Sequence, residues 1–103
     1  MPRYRREVII IAHFAKIEDG VVRQVIVVNN SDCGNLEFPE SEPVGQAFIN
    51  QIGLNGEWRQ TSYNNNFRGK YAGQGDTFDP DLGDHGEFVS PVVEPAEPEP
   101  PVE

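Results

Sequence analysis

The sequence predicts a small α+β fold, in which one helix packs on a small antiparallel sheet. Three observations predict it. Two runs of β-branched residues flank an Asp-Gly pair within residues 8–28, residues 41–54 carry helix start and stop signals, and several short β-rich segments follow residue 56. With 103 residues and 37% hydrophobic content, the chain can form one such domain with its own core. The predicted domain spans residues 8–90, between a basic arm at residues 1–7 and an acidic tail at residues 91–103.

The first predicted element is an N-terminal β-hairpin. Residues 8–17 and 21–28 are rich in Val and Ile, which favour strands. Between them, Asp19 and Gly20 are the pair that supplies the positive φ angles of a type I′ turn. The second arm is almost continuously apolar, which predicts a central strand that is covered on both faces.

The second predicted element is a helix that begins at Ser41. Ser is suited to the N-cap position, and Pro43 is tolerated in the first turn. Gly53 followed by Leu54 is typical of a Schellman stop, in which Gly takes the left-handed conformation and the next residue packs back on the helix. Apolar residues at helical spacing predict the face that packs on the sheet: Val44, Ala47, Phe48 and Ile52.

The second half is predicted to be β-rich but irregular. Residues 57–63 form a strand with Trp58 in the core, and short extended segments follow near residues 67–72, 76–78 and 87–89. From residue 91 the chain alternates Pro and Glu with few core-forming residues, which predicts an extended, polyproline-like tail.

The charge is unevenly distributed. Residues 76–103 hold nine acidic residues and no Lys or Arg, so the whole formal net charge of −9 lies there. The opposite end begins with a basic arm: Arg3, Tyr4, Arg5 and Arg6. This polarity suits head-to-tail contact between copies or docking on a charged surface. The alternative interpretation is that both ends are solvated tails.

Several function classes find no support in the sequence. No apolar run reaches the length of a membrane span or a signal peptide, which predicts a soluble protein that is not exported by the usual route. Cys33 stands alone, and neither His13 nor His85 lies in a nucleophile or zinc motif with it. Nucleotide-binding motifs are absent. We therefore expect no catalysis, no metal and no cofactor, although the acidic loop at residues 79–87 leaves a bound cation as an alternative.

The stretch WRQTSYNNNFRGKYAGQG, residues 58–75, has the composition of a binding surface. Aromatic rings beside Arg are typical of single-stranded nucleic-acid platforms, but the acidic tail would repel a polyanion. Protein interfaces are also enriched in Tyr, Asn, Gly and Arg, so a protein partner is favoured. Asn and Gly break the strand here and are expected to project partner-binding side chains from a loop: Tyr63, Phe67, Arg68 and Lys70. In the alternative interpretation these rings belong to the core.

Three motifs carry a family resemblance over residues 12–79: AHFAKIEDGVVRQVIVVNN, EPVGQAFINQIGL and WRQTSYNNNFRGKYAGQGDTFD. The chain resembles a family of small proteins encoded among the virion genes of marine tailed bacteriophages, including those of cyanobacteria. The basic arm and the acidic tail depart from the family pattern.

The resemblance implies a non-enzymatic structural component of the virion, made in the host cytoplasm. Such a component would be a capsid decoration or cement protein, or an accessory subunit of the tail or neck. Its partners would be other virion proteins, such as major capsid or tail subunits, or copies of itself. A receptor- or glycan-binding module at a tail tip and a cytoplasmic assembly factor remain alternatives.

Overall fold

The computed structural model describes residues 11–91. The basic arm, the acidic tail from residue 92 onward and the first three residues of the predicted hairpin lie outside this range. The described residues form five strands, a short 3₁₀ helix and one α-helix. Their bounds are β1 Ile11–Glu18, β2 Val21–Asn29, the 3₁₀ helix Asn30–Cys33, α1 Ser41–Gln51, β3 Glu57–Thr61, β4 Thr77–Asp79 and β5 Glu87–Val89.

The five strands form one antiparallel sheet in the order β3-β1-β2-β4-β5, with α1 packed on it. The predicted α+β class is therefore confirmed, and so is the hairpin of β1 and β2. Asp19 and Gly20 connect the two strands with φ angles of 53° and 77°, the positive values that a type I′ turn requires.

The prediction that β2 is a central strand is confirmed by its place in the middle of the sheet order, but the prediction that it is covered on both faces is wrong. β1 is the most deeply buried strand. β1 pairs along most of its length with β2 on one side and β3 on the other, and Phe14 and Ala15 are fully buried. β2 pairs with β4 only where Val21 faces Thr77. Farther along β2, Val27 is 56% exposed, because the second half of the chain covers only the hairpin end of this strand.

Helix α1 stops as predicted but starts differently. The N–H of Leu54 donates to the carbonyl of Ile49 and the N–H of Gly53 donates to the carbonyl of Asn50, which is the Schellman pattern. Ser41 is the first helical residue rather than the N-cap. Its hydroxyl donates instead to Gln60 Oε1 at 2.6 Å, a buried hydrogen bond that joins the helix start to β3.

The fully buried helix residues are Ser41, Gly45 and Ile49, and of the predicted apolar stripe only Phe48 packs against the core. Val44 and Ile52 from that stripe are exposed. The reason is Gly45, where an added Cβ would overlap the ring of Phe14. Because Gly has no side chain, the helix backbone can rest directly on that ring, and this close approach determines which face is buried.

Two apolar clusters cover the two faces of the sheet around β1. The cluster under α1 consists of Ala12, Phe14, Val28, Cys33, Ile49 and Trp58. The cluster on the opposite face consists of Ala15, Ile17, Val22, Ala72 and Phe88. Trp58 is buried as predicted, and its indole N–H donates to the carbonyl of Leu54 at 2.8 Å.

The irregular second half agrees with prediction in its strands and differs in its loop. β5 occupies residues 87–89 as expected, and β4 lies within one residue of its predicted position. Residues 67–72 do not form an extended segment. Arg68 and Gly69 both have positive φ angles, which strands do not accommodate, so the chain turns there.

Candidate partner-binding surface

The loop of residues 62–72 is held in place by side-chain hydrogen bonds. Asn65 has a φ of 59°, a left-handed conformation that Asn tolerates, and its Oδ1 accepts the backbone N–H of Tyr71 at 2.6 Å. The hydroxyl of Thr61 accepts the N–H of Ala72 at 2.8 Å, which returns the loop to the end of β3. These bonds determine where Tyr71 lies.

Three rings meet on the face of the sheet opposite α1. His13 from β1 lies 5.7 Å from the ring centroid of Tyr63, with the planes 24° apart, and 5.4 Å from that of Tyr71. The two tyrosine centroids are 5.2 Å apart. We call these three residues the ring cluster. Tyr63 is 66% exposed, so one side of the cluster is open to a partner.

The imidazole of His13 is neutral near neutral pH. Burial lowers the pKa of His13 below its ordinary value of 6.5, because the partly desolvated imidazole is harder to protonate. A neutral imidazole beside two phenols offers hydrogen-bonding groups without the desolvation cost of burying a charge. This chemistry suits contact with another protein surface.

The ring cluster borders an open groove of about 910 Å³ at the end of the sheet where β1 begins and β3 ends. His13 and Tyr63 belong both to the ring cluster and to the lining of the groove. The other lining residues combine apolar side chains with amides and hydroxyls: Ile11, Ala12, Asn30, Asn35, Leu36, Glu37, Phe38, Gln60, Thr61, Ser62, Asn64, Asn66 and Phe67. This mixture is typical of a binding surface that combines apolar area with adaptable polar groups.

Phe67 forms part of the groove wall rather than a projecting anchor. Its ring stacks on that of Phe38, with centroids 3.9 Å apart and planes 3° apart. Both side chains are half-buried. Of the loop residues predicted to bind a partner, Tyr63 is exposed and Phe67 presents only part of its ring.

Arg68 is not an exposed contact, and the prediction that it projects towards a partner is wrong. Its side chain is only 4% exposed. The guanidinium forms a bidentate pair with Glu42, in which Nη2 donates to Oε1 at 3.0 Å, and Nε donates to the carbonyl of His85 at 3.0 Å. It also lies over the rings of Phe38 and Phe78. Burial is possible because the partner carboxylate and the carbonyls replace the lost water.

The side chains of the same ion pair form hydrogen bonds with the backbone at the outer edge of β3. Glu42 Oε2 accepts the backbone N–H of Gln60 at 2.7 Å, and Arg68 Nη1 donates to the Gln60 carbonyl at 2.9 Å. Farther along, Gln46 Nε2 donates to the carbonyl of Trp58 at 2.6 Å. Side chains therefore occupy these outward backbone groups, which an added strand would otherwise use.

Lys70 is also engaged within the chain. Its Nζ lies 2.8 Å from Asp76 Oδ2 and donates to the hydroxyl of Ser90 at 2.7 Å. The ammonium group thus ties the loop to the strands β4 and β5 instead of being free for a partner. The other predicted contacts, Arg3, Tyr4, Arg5 and Arg6, lie outside the described residues.

His13 and Tyr71 are the cluster members that sequence reasoning did not assign to the site. His13 resembled an ordinary strand residue, and only the register of β1 with β3 brings it close to the loop. His13 faces Thr61, and Tyr63 follows two residues later. Strand register depends on long-range pairing, so the sequence carries no local signal for this contact.

Other kinds of site find no geometric support in residues 11–91. This part of the chain brings together no three His, Cys, Asp or Glu side chains that could hold a metal ion. It also contains no helix of sufficient length and apolarity to cross a membrane. Comparison with protein-family models, with curated proteins and with solved structures gave no match.

Proposed function

We propose that this chain is a non-enzymatic structural subunit of a tailed-phage virion and that the ring cluster and its groove bind a neighbouring virion protein. The observation that carries the proposal is the exposed ring of Tyr63, which lies on two further rings in a loop held by hydrogen bonds. The link to a virion rests on the sequence resemblance.

A rigid tyrosine is an effective interface anchor. Its ring buries a large area while losing little conformational freedom, and small polar neighbours adapt their hydrogen bonds to the partner. Here the His13 and Tyr71 rings hold Tyr63 from below, and Asn64 and Asn66 flank it in the groove. The surface thus combines a prearranged anchor with amide groups, which lowers the entropic cost of binding.

The first test is mass spectrometry of purified particles of the virus that encodes the chain. We expect the chain to be present in finished particles. A copy number comparable with that of the major coat protein would indicate a capsid position, and a few copies would indicate the tail or neck. Absence from particles would contradict the proposal and favour an assembly factor.

The second test removes the anchor. Tyr63→Ser should leave the fold intact, because the side chain is mostly exposed, and should reduce incorporation into particles about tenfold or more. Leu54→Ser is a matched control, since this exposed apolar residue precedes β3 at the opposite end of the sheet. Equal incorporation of both variants would exclude the ring cluster from the interface.

The groove also favours a second candidate, a glycan-binding module. In this candidate the exposed ring stacks on the apolar face of a sugar, and the amides and the carboxylate of Glu37 accept hydrogen bonds from the sugar hydroxyls. In that case host-surface saccharides would shift the NMR signals of Tyr63 and Asn64, and Tyr63→Ser would abolish the shifts. The virion-subunit proposal expects no such response.

A further inference from the structure

The outer edge of β2 is open over residues 23–29. Near the hairpin, Val22 exchanges backbone hydrogen bonds with the chain before β4, donating to Asp76 at 2.7 Å and accepting from Gly75 at 2.8 Å. Beyond Val22, no residue within the described range 11–91 pairs with the side of β2 that faces away from β1. The backbone N–H and C=O groups on this side of β2 therefore have no partner among the described residues.

This edge differs from the other edges of the sheet. The outer side of β3 is occupied by Glu42, Gln46 and Arg68, and β5 is only three residues long. Natural sheets commonly protect their edges with charges, Pro or short strands. Residues 24–29 contain no charged residue and no Pro, and Val27 is 56% exposed. The long apolar edge is therefore suited to accept a strand.

We propose that residues 24–28 of β2 pair antiparallel with the same residues of a second copy, across a two-fold axis at Ile26. This register places Val25 opposite the partner's Val27 and Gln24 opposite the partner's Val28, and it leaves out Arg23, where the register of β2 with β1 shifts. Like charges do not face each other, and each opposed pair lies on the same face of the joined sheet, as strand alternation requires. Backbone hydrogen bonds then join two five-stranded sheets into one.

A second copy fits this edge better than the acidic tail of the chain. Residues 91–103 contain five Pro, each lacking the N–H that a ladder requires. The β2 edge of another copy supplies a strand of equal length with its own unused donors and acceptors. Pairing also covers the exposed side chain of Val27 with the partner's Val25, so apolar area leaves water on both sides.

The test measures the mass of the full chain in solution by light scattering over a range of concentrations. We expect twice the mass of one chain. Val27→Lys should give the mass of a single chain while the circular dichroism spectrum is unchanged, because Val27 is exposed and its replacement places a charge within the new ladder. Val89→Lys, at an exposed strand position on β5, is the matched control and should remain dimeric.

Cross-linking tests the register. Mild oxidation of an equimolar mixture of Val25→Cys and Val27→Cys chains should give more disulfide-linked dimer than either variant alone, because these positions face each other only across the proposed axis. A wild-type chain that stays monomeric, a dimer that Val27→Lys leaves intact, or equal cross-linking in all samples would overturn the proposal. Residues 23–29 do not line the groove, but Val27 faces His13 of the ring cluster across the β1–β2 ladder. The two proposals are therefore separated by Tyr63→Ser, which should reduce incorporation into particles and keep the mass of the dimer.

Discussion

At Arg68, one guanidinium connects three segments that are distant in the sequence. It pairs with Glu42 at the start of α1, donates to the carbonyl of Gln60 in β3 and donates to the carbonyl of His85 in the loop before β5. Because the group is buried and its hydrogen bonds are made within the chain, Arg68 stabilises the fold and does not present its charge at the surface.

Arg68→Ala should lower the free energy of unfolding by about 3–5 kcal/mol, since Glu42 would be left partly buried without its partner charge. Denaturant unfolding measures this loss. Arg59→Ala is the matched control, because its ion pair with Glu57 is exposed and such pairs contribute less than about 1 kcal/mol. Similar losses for both variants would show that the buried pair has no special role.

His13 should make stability depend on pH. Burial lowers its pKa in the folded chain, so the unfolded chain binds the proton more readily. Neutral His13 makes its full contribution to the free energy of unfolding above the pKa of the imidazole in the unfolded chain, near 6.5. This contribution is lost as the pH falls from there through the lower pKa of the imidazole in the folded chain.

We therefore expect His13→Gln to reduce the drop in melting temperature between about pH 7.5 and about pH 5.5. His85→Gln, at an exposed position, is the control. If the melting temperature of the His13→Gln variant falls as steeply as that of the wild type over this range, burial of the imidazole does not govern the pH response.

Among the elements, those with local signals were predictable. The Asp19-Gly20 turn and the stop at Gly53 depend on backbone conformations that particular residues favour, and both occur as the sequence indicates. The buried face of α1 was not predictable from its apolar stripe. That face is determined by the contact between Gly45 and Phe14, residues from different elements, and a pattern that counts apolar volume does not detect a packing site made by a missing side chain.

Gly45→Ala tests this contact directly. Ala favours helices over Gly by about 1 kcal/mol, so propensity alone predicts a more stable protein. The added methyl would overlap the Phe14 ring, and we expect a net loss of about 1–3 kcal/mol in the free energy of unfolding. Asn50→Ala, at an exposed position of the same helix, should be neutral or slightly stabilising. A stabilised Gly45→Ala variant would contradict the close packing of α1 on β1.

The loop of the candidate site was predictable in composition but not in orientation. Tyr63 and its Asn neighbours indicate a candidate binding surface by residue type alone, and Tyr63 is exposed. The inward direction of Arg68 depends on Glu42, which lies 26 positions earlier in the chain. A pairing over that separation follows from the tertiary fold, so the sequence shows a cation in a loop without showing which way it points.

For the whole molecule, the apolar clusters lie in the middle of the chain, and the Pro- and Glu-rich composition of residues 91–103 offers little apolar area to add to them. The members of both apolar clusters lie between Ala12 and Phe88. A chain truncated after Ser90 should therefore retain a single cooperative unfolding transition with nearly the wild-type midpoint. Thermal unfolding followed by circular dichroism tests this, and broad or non-cooperative unfolding of the truncated chain would show that residues 91–103 take part in the fold.

The side chains that occupy the outer edge of β3 also limit how far copies of this chain can assemble. If two copies join through β2, the outer strand of each copy is β3, whose outward backbone groups are already hydrogen-bonded to side chains, and the β4 side of each copy ends at the three-residue strand β5. In that case strand addition stops at the pair, so copies of the chain at high concentration form a finite unit instead of a fibre.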